Sequence, residues 1–321
     1  MKLKSFSLAF AFIAIGGATL FSGESRANEI SYYSTIYSTD WVTSGVGGMR
    51  GTGLGSLTVS GVVGPVTQSL LYWHGPTDSV DPTANASVNV NGTPLVGTNI
   101  GLSQDNYWGF ENSHAYRANS TDVISGNGSY ALSGFIHPNA DINGAATAVF
   151  FDDGNANNNR DVVVFDGNDA NWASAYDPAG WDFTLSGINY SGGSVLLRLI
   201  VSDGQSFNSL DDGTLRVNGV GVATGGIFQG ASLPGPNIYF GNLFDIVTID
   251  ISSLLLPGGN SLRITLDEGF NDAVGAVAAF VDLPAGAAPV AVPEPGSLTL
   301  VLASLFGLGL VARRARSSSP V

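Results

Sequence analysis

The densest run of oxygen donors in the chain is Asp152-Asp153-Gly154-Asn155-Ala156-Asn157-Asn158-Asn159-Arg160-Asp161. Within it Asp153, Asn155, Asn157 and Asp161 alternate as the hard oxygen ligands of Ca²⁺ loops do. With Asp153 in first place, Asn158 stands where an EF-hand needs Gly and Val164 where it needs a bidentate Glu. The run is therefore no EF-hand, and two readings stay open: an irregular Ca²⁺ site, or a solvated loop joining two strands. Asp166-Gly167-Asn168-Asp169, Asp203-Gly204 and Asp211-Asp212-Gly213 supply further oxygens, but Asp-Gly is also the commonest turn chemistry, and they are read as turns.

Other chemistries find little footing. His74, His114 and His137 show no HExxH or HxH spacing, which argues against zinc. No Gly-x-Ser-x-Gly elbow places a serine on a strained turn, and Gly192-Gly193-Ser194 and Gly128-Ser129 do not fit one. Glu29, Glu111 and Glu268 stand in no context that marks a glycosidase acid. Cys is absent, which removes disulfides, thiolate metal sites and cysteine nucleophiles.

Tyr72, Trp73, Tyr107, Trp108, Trp172, Tyr176 and Trp181 offer either core packing or apolar platforms for sugar rings. Such aromatics more often fill a core; Trp172 and Trp181, which flank the polar 173–180 stretch, are the candidates for a glycan platform, whereas Trp73 sits in an apolar run and belongs to the core.

Composition fixes the elements that carry these residues. Charged residues make up only 12% of 321, against a usual ~25%, and 43 glycines stand where helical surfaces would carry Lys, Glu and Arg. No stretch between 30 and 285 sustains a helical apolar pattern. Short alternating runs bounded by Gly, Asn, Asp and Pro predict strands at 56–63, 68–73, 86–90, 130–135, 146–151, 161–165, 194–201, 214–217, 246–251, 261–266 and 275–281. Four features recur in one order. Leu70-Leu71-Tyr72-Trp73 precedes Val88-Asn89-Val90-Asn91-Gly92 as Leu197-Arg198-Leu199-Ile200-Val201 precedes Leu215-Arg216-Val217-Asn218-Gly219, and the Gly-Asn-Ser segments before Tyr130 and Leu262 each lead on to another apolar strand. The expected class is all-β: two tandem antiparallel sandwiches, 28–166 and 167–285, followed by a 286–292 linker.

Both ends read as addresses. Lys2 and Lys4 precede an apolar run from Phe6 to Phe21, and Ser25-Arg26-Ala27 forms a small-residue cleavage site, so 1–27 is a secretory signal peptide cut after Ala27. At the other end Pro293-Glu294-Pro295 leads into the apolar Leu298–Ala312, closed by Arg313, Arg314 and Arg316, which the positive-inside rule holds in the cytoplasm. This tripartite tail, 293–316, resembles the PEP-CTERM sorting signal of Gram-negative bacteria. The resemblance implies a transmembrane helix, recognition by an exosortase at the inner membrane, and delivery to the cell surface or extracellular matrix, typically in bacteria that make exopolysaccharide.

Without both ends the body keeps six arginines, no lysine and 24 acidic residues, a net charge of −18. Such a body repels nucleic acid, which leaves cations and neutral glycans as its natural partners. The Val-Asn-Gly turn, Asp250-Ile251-Ser252-Ser253-Leu254-Leu255 and Pro257-Gly258-Gly259-Asn260-Ser261-Leu262 resemble the jelly-roll architecture of galactose-binding-like and adhesin modules. The expectation is a non-enzymatic surface or matrix protein with no obligatory cofactor beyond optional Ca²⁺. Its rivals are a secreted glycan hydrolase and a passive spacer.

Overall fold

The computed structural model describes residues 30–104, 109–171, 179–206, 211–238, 240–267 and 272–289. The signal peptide with Ala27, Trp172, and the 293–316 tail with Pro293, Glu294, Pro295, Arg313, Arg314 and Arg316 lie outside them. Among the described residues no helix is long and apolar enough to cross a membrane.

The chain is all-β, and its strands come in two series. The first comprises β1 (Ser31–Val46), β2 (Gly55–Val59), β3 (Val66–Thr77), β4 (Ser87–Val90), β5 (Thr93–Val96), β6 (Thr98–Gln104), β7 (Asn112–Asn119), β8 (Gly128–Ser133) and β9 (Gly144–Phe151). The second comprises β10 (Arg160–Ala170), β11 (Asp182–Tyr190), β12 (Leu196–Ser202), β13 (Thr214–Val217), β14 (Val220–Thr224), β15 (Phe244–Asp250), β16 (Gly258–Leu266) and β17 (Gly275–Pro284). They form one nine-stranded antiparallel sheet, β15-β12-β17-β10-β1-β9-β3-β7-β6, and two four-stranded ones, β2-β8-β4-β5 and β11-β16-β13-β14.

The internal repeat of the sequence is a repeat of topology. The order β2-β8-β4-β5 recurs as β11-β16-β13-β14, and β1-β9-β3-β7 recurs as β10-β17-β12-β15. The two Val-Asn-Gly motifs close equivalent hairpins, with φ of 49° and 77° at Asn91 and Gly92 and 52° and 79° at Asn218 and Gly219. Positive φ at both central residues suits the twist of a two-residue hairpin, and Asn and Gly tolerate it. The expected boundary between 166 and 167 falls inside β10, because Asp166-Gly167-Asn168-Asp169 continues that strand instead of turning. The change of series lies at the 152–159 loop.

Burial on both faces explains why central strands read as continuous apolar runs. Along β3, Leu71 and Trp73 enter a core under β2-β8-β4, while Leu70 and Tyr72 enter a central core with Val162, Val164 and Phe280. Val163 and Phe165 point the other way, into a core under β11-β16-β13. The layers are joined by β1, which pairs with β10 up to Thr39 and with β9 from Asp40 onward. At the changeover Ser38 takes a left-handed φ of 50°, and its N–H donates to Asp161 Oδ1 at 2.9 Å.

The expected 286–292 linker begins inside the fold. Gly286 N and Ala288 N donate to Asp161 Oδ2 at 2.7 and 3.3 Å, Asn189 N donates to Ala287 O at 2.9 Å, and Tyr37 Oη donates to Pro289 O at 2.7 Å. Ala287 and Ala288 are buried in the second-series core.

Candidate functional site

An open groove of about 820 Å³ runs along β6, the one strand of the first series without a counterpart in the second. Its walls are mixed: Val80 and Pro82 from the β3–β4 connection and Val96 at the end of β5 are apolar and exposed, Ile100 and Leu102 of β6 lie buried behind them, and Thr83, Ser87, Thr98 and Asn99 bring polar groups. Val80 and Val96 are 55% and 70% exposed, so the groove shows water a hydrophobic rim. Trp73 fixes the connection from below, its indole N–H donating to Asn85 O at 2.9 Å and its ring stacked on Tyr116 at 5.4 Å. Gly97 is obligatory here, since a Cβ would stand 2.3 Å from the Trp73 ring.

The polar end of the groove joins the two series. Arg117 of β7 pairs with Asp166 of β10 at 2.5 Å, Tyr72 Oη donates to the same carboxylate oxygen at 3.2 Å, and the guanidinium lies 3.4 Å from the Tyr33 ring centroid. Burial pushes the Asp166 carboxyl above the usual carboxylate range, against the opposing pull of Arg117. His114 lines the groove as well, its Nδ1 2.7 Å from Tyr116 Oη. Exposed apolar side chains interleaved with hydrogen-bonding groups suit a ligand that has both C–H faces and hydroxyls.

A second polar constellation lies where the far ends of the strands meet. His74 Nδ1 is 2.7 Å from Ser202 Oγ and His74 Nε2 is 3.0 Å from Asn168 Oδ1. Because Asn168 Nδ2 donates to Ser113 O at 2.9 Å, its Oδ1 faces the imidazole, so Nε2 carries the proton and Nδ1 accepts from the serine. Burial lowers His74 to about 3, which keeps the ring neutral. Arg50 completes the network, donating to Asn143 Oδ1 and pairing with Asp203 at 3.1 Å. The Ser-His-Asn order has the form of a nucleophilic triad, yet Ser202 is fully buried and the adjoining cavity is about 20 Å³, room for one water. Beside it burial raises Asp272 to about 9, with Asp212 and Asp203 adding repulsion, and burial raises Asp212 to about 6.

The candidate calcium ligands Asp153, Asn155, Asn157 and Asp161 do not converge, and the run takes the form of the solvated loop between two strands. Asp161 is turned inward to hold Ser38, Gly286 and Ala288. Asp153 Oδ1 accepts from Asn155 N at 2.7 Å and Asn155 Oδ1 from Asn157 N at 3.2 Å, so these side chains close successive turns of an exposed loop. The carboxylates that do gather, within 4.8 Å of one another, are Asp40, Asp152 and Asp153. Trp181, a candidate platform, is instead core: it is 1% exposed, packs on Phe228 and donates its N–H to Asp169 O, so its ring offers no platform. Trp73 is core, as expected. Arg117 carries no sequence signal of its own, and Asp166-Gly167 has the composition of a turn; the alternation Val162, Val164, Asp166, Asn168 on one face of a strand is what marks Asp166 as part of β10.

No protein-family model matches the chain, and no curated protein matches it. Two solved structures do, the crystal structures of BuGH86 in wild-type and variant forms in complex with neoagarooctaose, each 13% identical. Each match covers 80% of this chain and 34% of that chain at a TM-score of 0.22, too low to carry a functional argument.

Proposed function

We propose that the chain is an exported, non-enzymatic cell-surface or extracellular-matrix protein that holds exopolysaccharide or another surface glycan in the β6 groove. In this reading the two strand series are jelly-roll-like sandwich domains. The N-terminal 27 residues direct export across the inner membrane, the tail anchors the chain transiently there, and an exosortase processes it near Pro293-Glu294-Pro295.

The groove is the observation that carries the proposal. Its Val80, Pro82 and Val96 walls can lie against C–H faces of sugar rings, and Arg117 and Asp166 can bind hydroxyls at its end. Hydrolysis is less well supported. A glycosidase flanks the scissile bond with two carboxyl groups roughly 5 to 9.5 Å apart. Among the described residues that line the groove, Asp166 is the sole carboxylate, and it is ion-paired.

A glycan array probed with residues 28–290 tests the binding step. Retention of polysaccharides without release of reducing ends is expected, whereas a flat array would leave the spacer reading and release of reducing ends the hydrolase. Replacing Pro293-Glu294-Pro295 by alanines should keep the full chain in the membrane fraction, and unchanged release would remove the sorting step.

A further inference from the structure

We infer that β15 is a self-association edge: two copies of the chain pair their β15 strands antiparallel about a two-fold axis at Thr248, so that the nine-stranded sheet of one copy continues into the other.

The repeat shows what this edge lacks. β7 and β15 are counterparts, and β7 is flanked on its outer side by β6, whereas no strand forms among the described residues of 225–243 and β15 ends its sheet. That segment reaches only the start of β15, where Ser232 Oγ accepts from Ile246 N at 2.9 Å. The ladder fixes which groups stay open. Ile251 N donates to Val195 O at 2.9 Å and Asp203 N to Leu243 O at 2.8 Å, in step with the pairs Ile249–Leu197 and Val247–Leu199. Odd-numbered residues therefore bond β12, and Ile246, Thr248 and Asp250 turn their backbone groups outward.

The other edges are blunted, as natural sheets blunt them. β5 holds Pro94, the pairings of β6, β11 and β14 each carry a register shift, and β2 lies against β1 with Ser44 Oγ donating to Thr58 O. β15 has none of these devices. Its seven residues run in unbroken register without Gly, Pro, Lys or Arg. Arg198 of the neighbouring β12 does not guard it either, since its guanidinium is drawn inward over Trp41 and donates to Thr43 Oγ1 at 3.0 Å. The faces of β15 are those of an interior strand: Ile246 packs on the central core, and Val247 and Ile249 pack on the second-series core, all partly buried. A strand added beside it would extend both cores.

β15 of a second copy is a matching occupant, because the strand complements itself. With the axis at Thr248, the two Thr248 residues exchange N–H···O bonds and each Asp250 N–H meets an Ile246 carbonyl. The two Asp250 carboxylates then stand four residues apart along the strands, at least about 13 Å. So short a pairing falls well below the ~1,600 Å² of a stable complex, and the dimer is reversible.

The absence of native cysteine makes the test clean. The full chain in non-ionic detergent is oxidised mildly as T248C or, on the exposed edge strand β14, as V220C. Facing residues of a bonded antiparallel pair lie about 5.5 Å apart at Cα, within disulfide range, so T248C should link into dimers roughly tenfold faster than V220C. Equal rates would overturn the pairing. In sedimentation, T248K and T248E should each lose the concentration-dependent dimer of wild type while keeping its melting midpoint, and an equimolar mixture of the two should regain it. A wild type that stays monomeric as concentration rises, or a mixture that stays monomeric, would overturn it as well.

Discussion

The two strand series share an order but not a surface. Both build a four-stranded sheet over a half of the nine-stranded one, close a hairpin with Asn-Gly and bury one tryptophan beneath it, Trp73 in the first and Trp181 in the second. The first alone inserts β6 after its hairpin, and β6 is the strand that walls the groove. On the outer sheet of the second the pairs Arg216–Asp267 and Arg263–Asp182 are open to water and Arg160–Asp282 is part-buried at a strand end, whereas Arg117–Asp166, which joins the two series, is sunk at the end of a groove. The repeated part is scaffold, and the unrepeated strand carries the site.

The largest effect that can break this comparison is truncation of the paired tryptophans. Trp73→Ala and Trp181→Ala should each cost about 3 to 5 kcal/mol of unfolding free energy, as buried aromatic truncations do. Glycan binding should be lost with Trp73 and kept with Trp181 at a temperature where both variants are folded. Denaturant melts followed by a pull-down on the retained polysaccharide check both parts.

Removing one partner of each ion pair gives the next effect. Arg117→Ala strands a buried carboxylate and should cost ~3 kcal/mol, while Arg263→Ala, at an exposed pair, should leave the melting midpoint unchanged. Equal midpoints for the two variants would show that the groove end is as wet as the outer sheet.

The buried Asp272 of the second series sets a pH response above neutrality. Asp272 is raised to about 9, so above the usual carboxylate range the folded state binds more protons than the unfolded one. Stability from that group is present at low pH and is lost as pH rises toward 9. His74, lowered to about 3, acts the other way only below roughly pH 6.5. The melting midpoint should therefore fall between pH 6.5 and 9, and Asp272→Asn should flatten that fall. A rising midpoint in wild type would contradict the burial argument.

The smallest effect concerns the 152–159 loop between the series. Ca²⁺ relieves repulsion among Asp40, Asp152 and Asp153 and should raise the midpoint by less than roughly 2 °C, reversed by EDTA and absent in Asp153→Asn. A larger rise that survives Asp153→Asn would place the cation elsewhere.

How much of this was legible follows from side-chain polarity. Strands such as β3, β9, β12 and β17 announced themselves because both faces are apolar. β6 and β7 did not: Asn112, Ser113 and His114 are buried, so their polar side chains break the period-2 pattern while taking hydrogen bonds inside the protein. β1 was hidden for another reason, since its Ser and Thr residues are half covered along most of its length and a bulge at Ser38 resets its alternation. The groove is built from those unreadable strands, and so its floor could not be found from periodicity. The acidic loop was visible as composition, but Asp161 belongs to a strand, and only the fold turns it away from Asp153.

The most direct test of the groove compares affinity for a retained polysaccharide in wild type, Val96→Asp and Val220→Asp by titration calorimetry of residues 28–290. Both valines are exposed, at 70% and 51%, and they end and begin the corresponding hairpin strands β5 and β14. The account predicts a loss of about tenfold or more for Val96→Asp, a change of ~1.4 kcal/mol, with Val220→Asp unchanged. Equal affinities in all three proteins would contradict it.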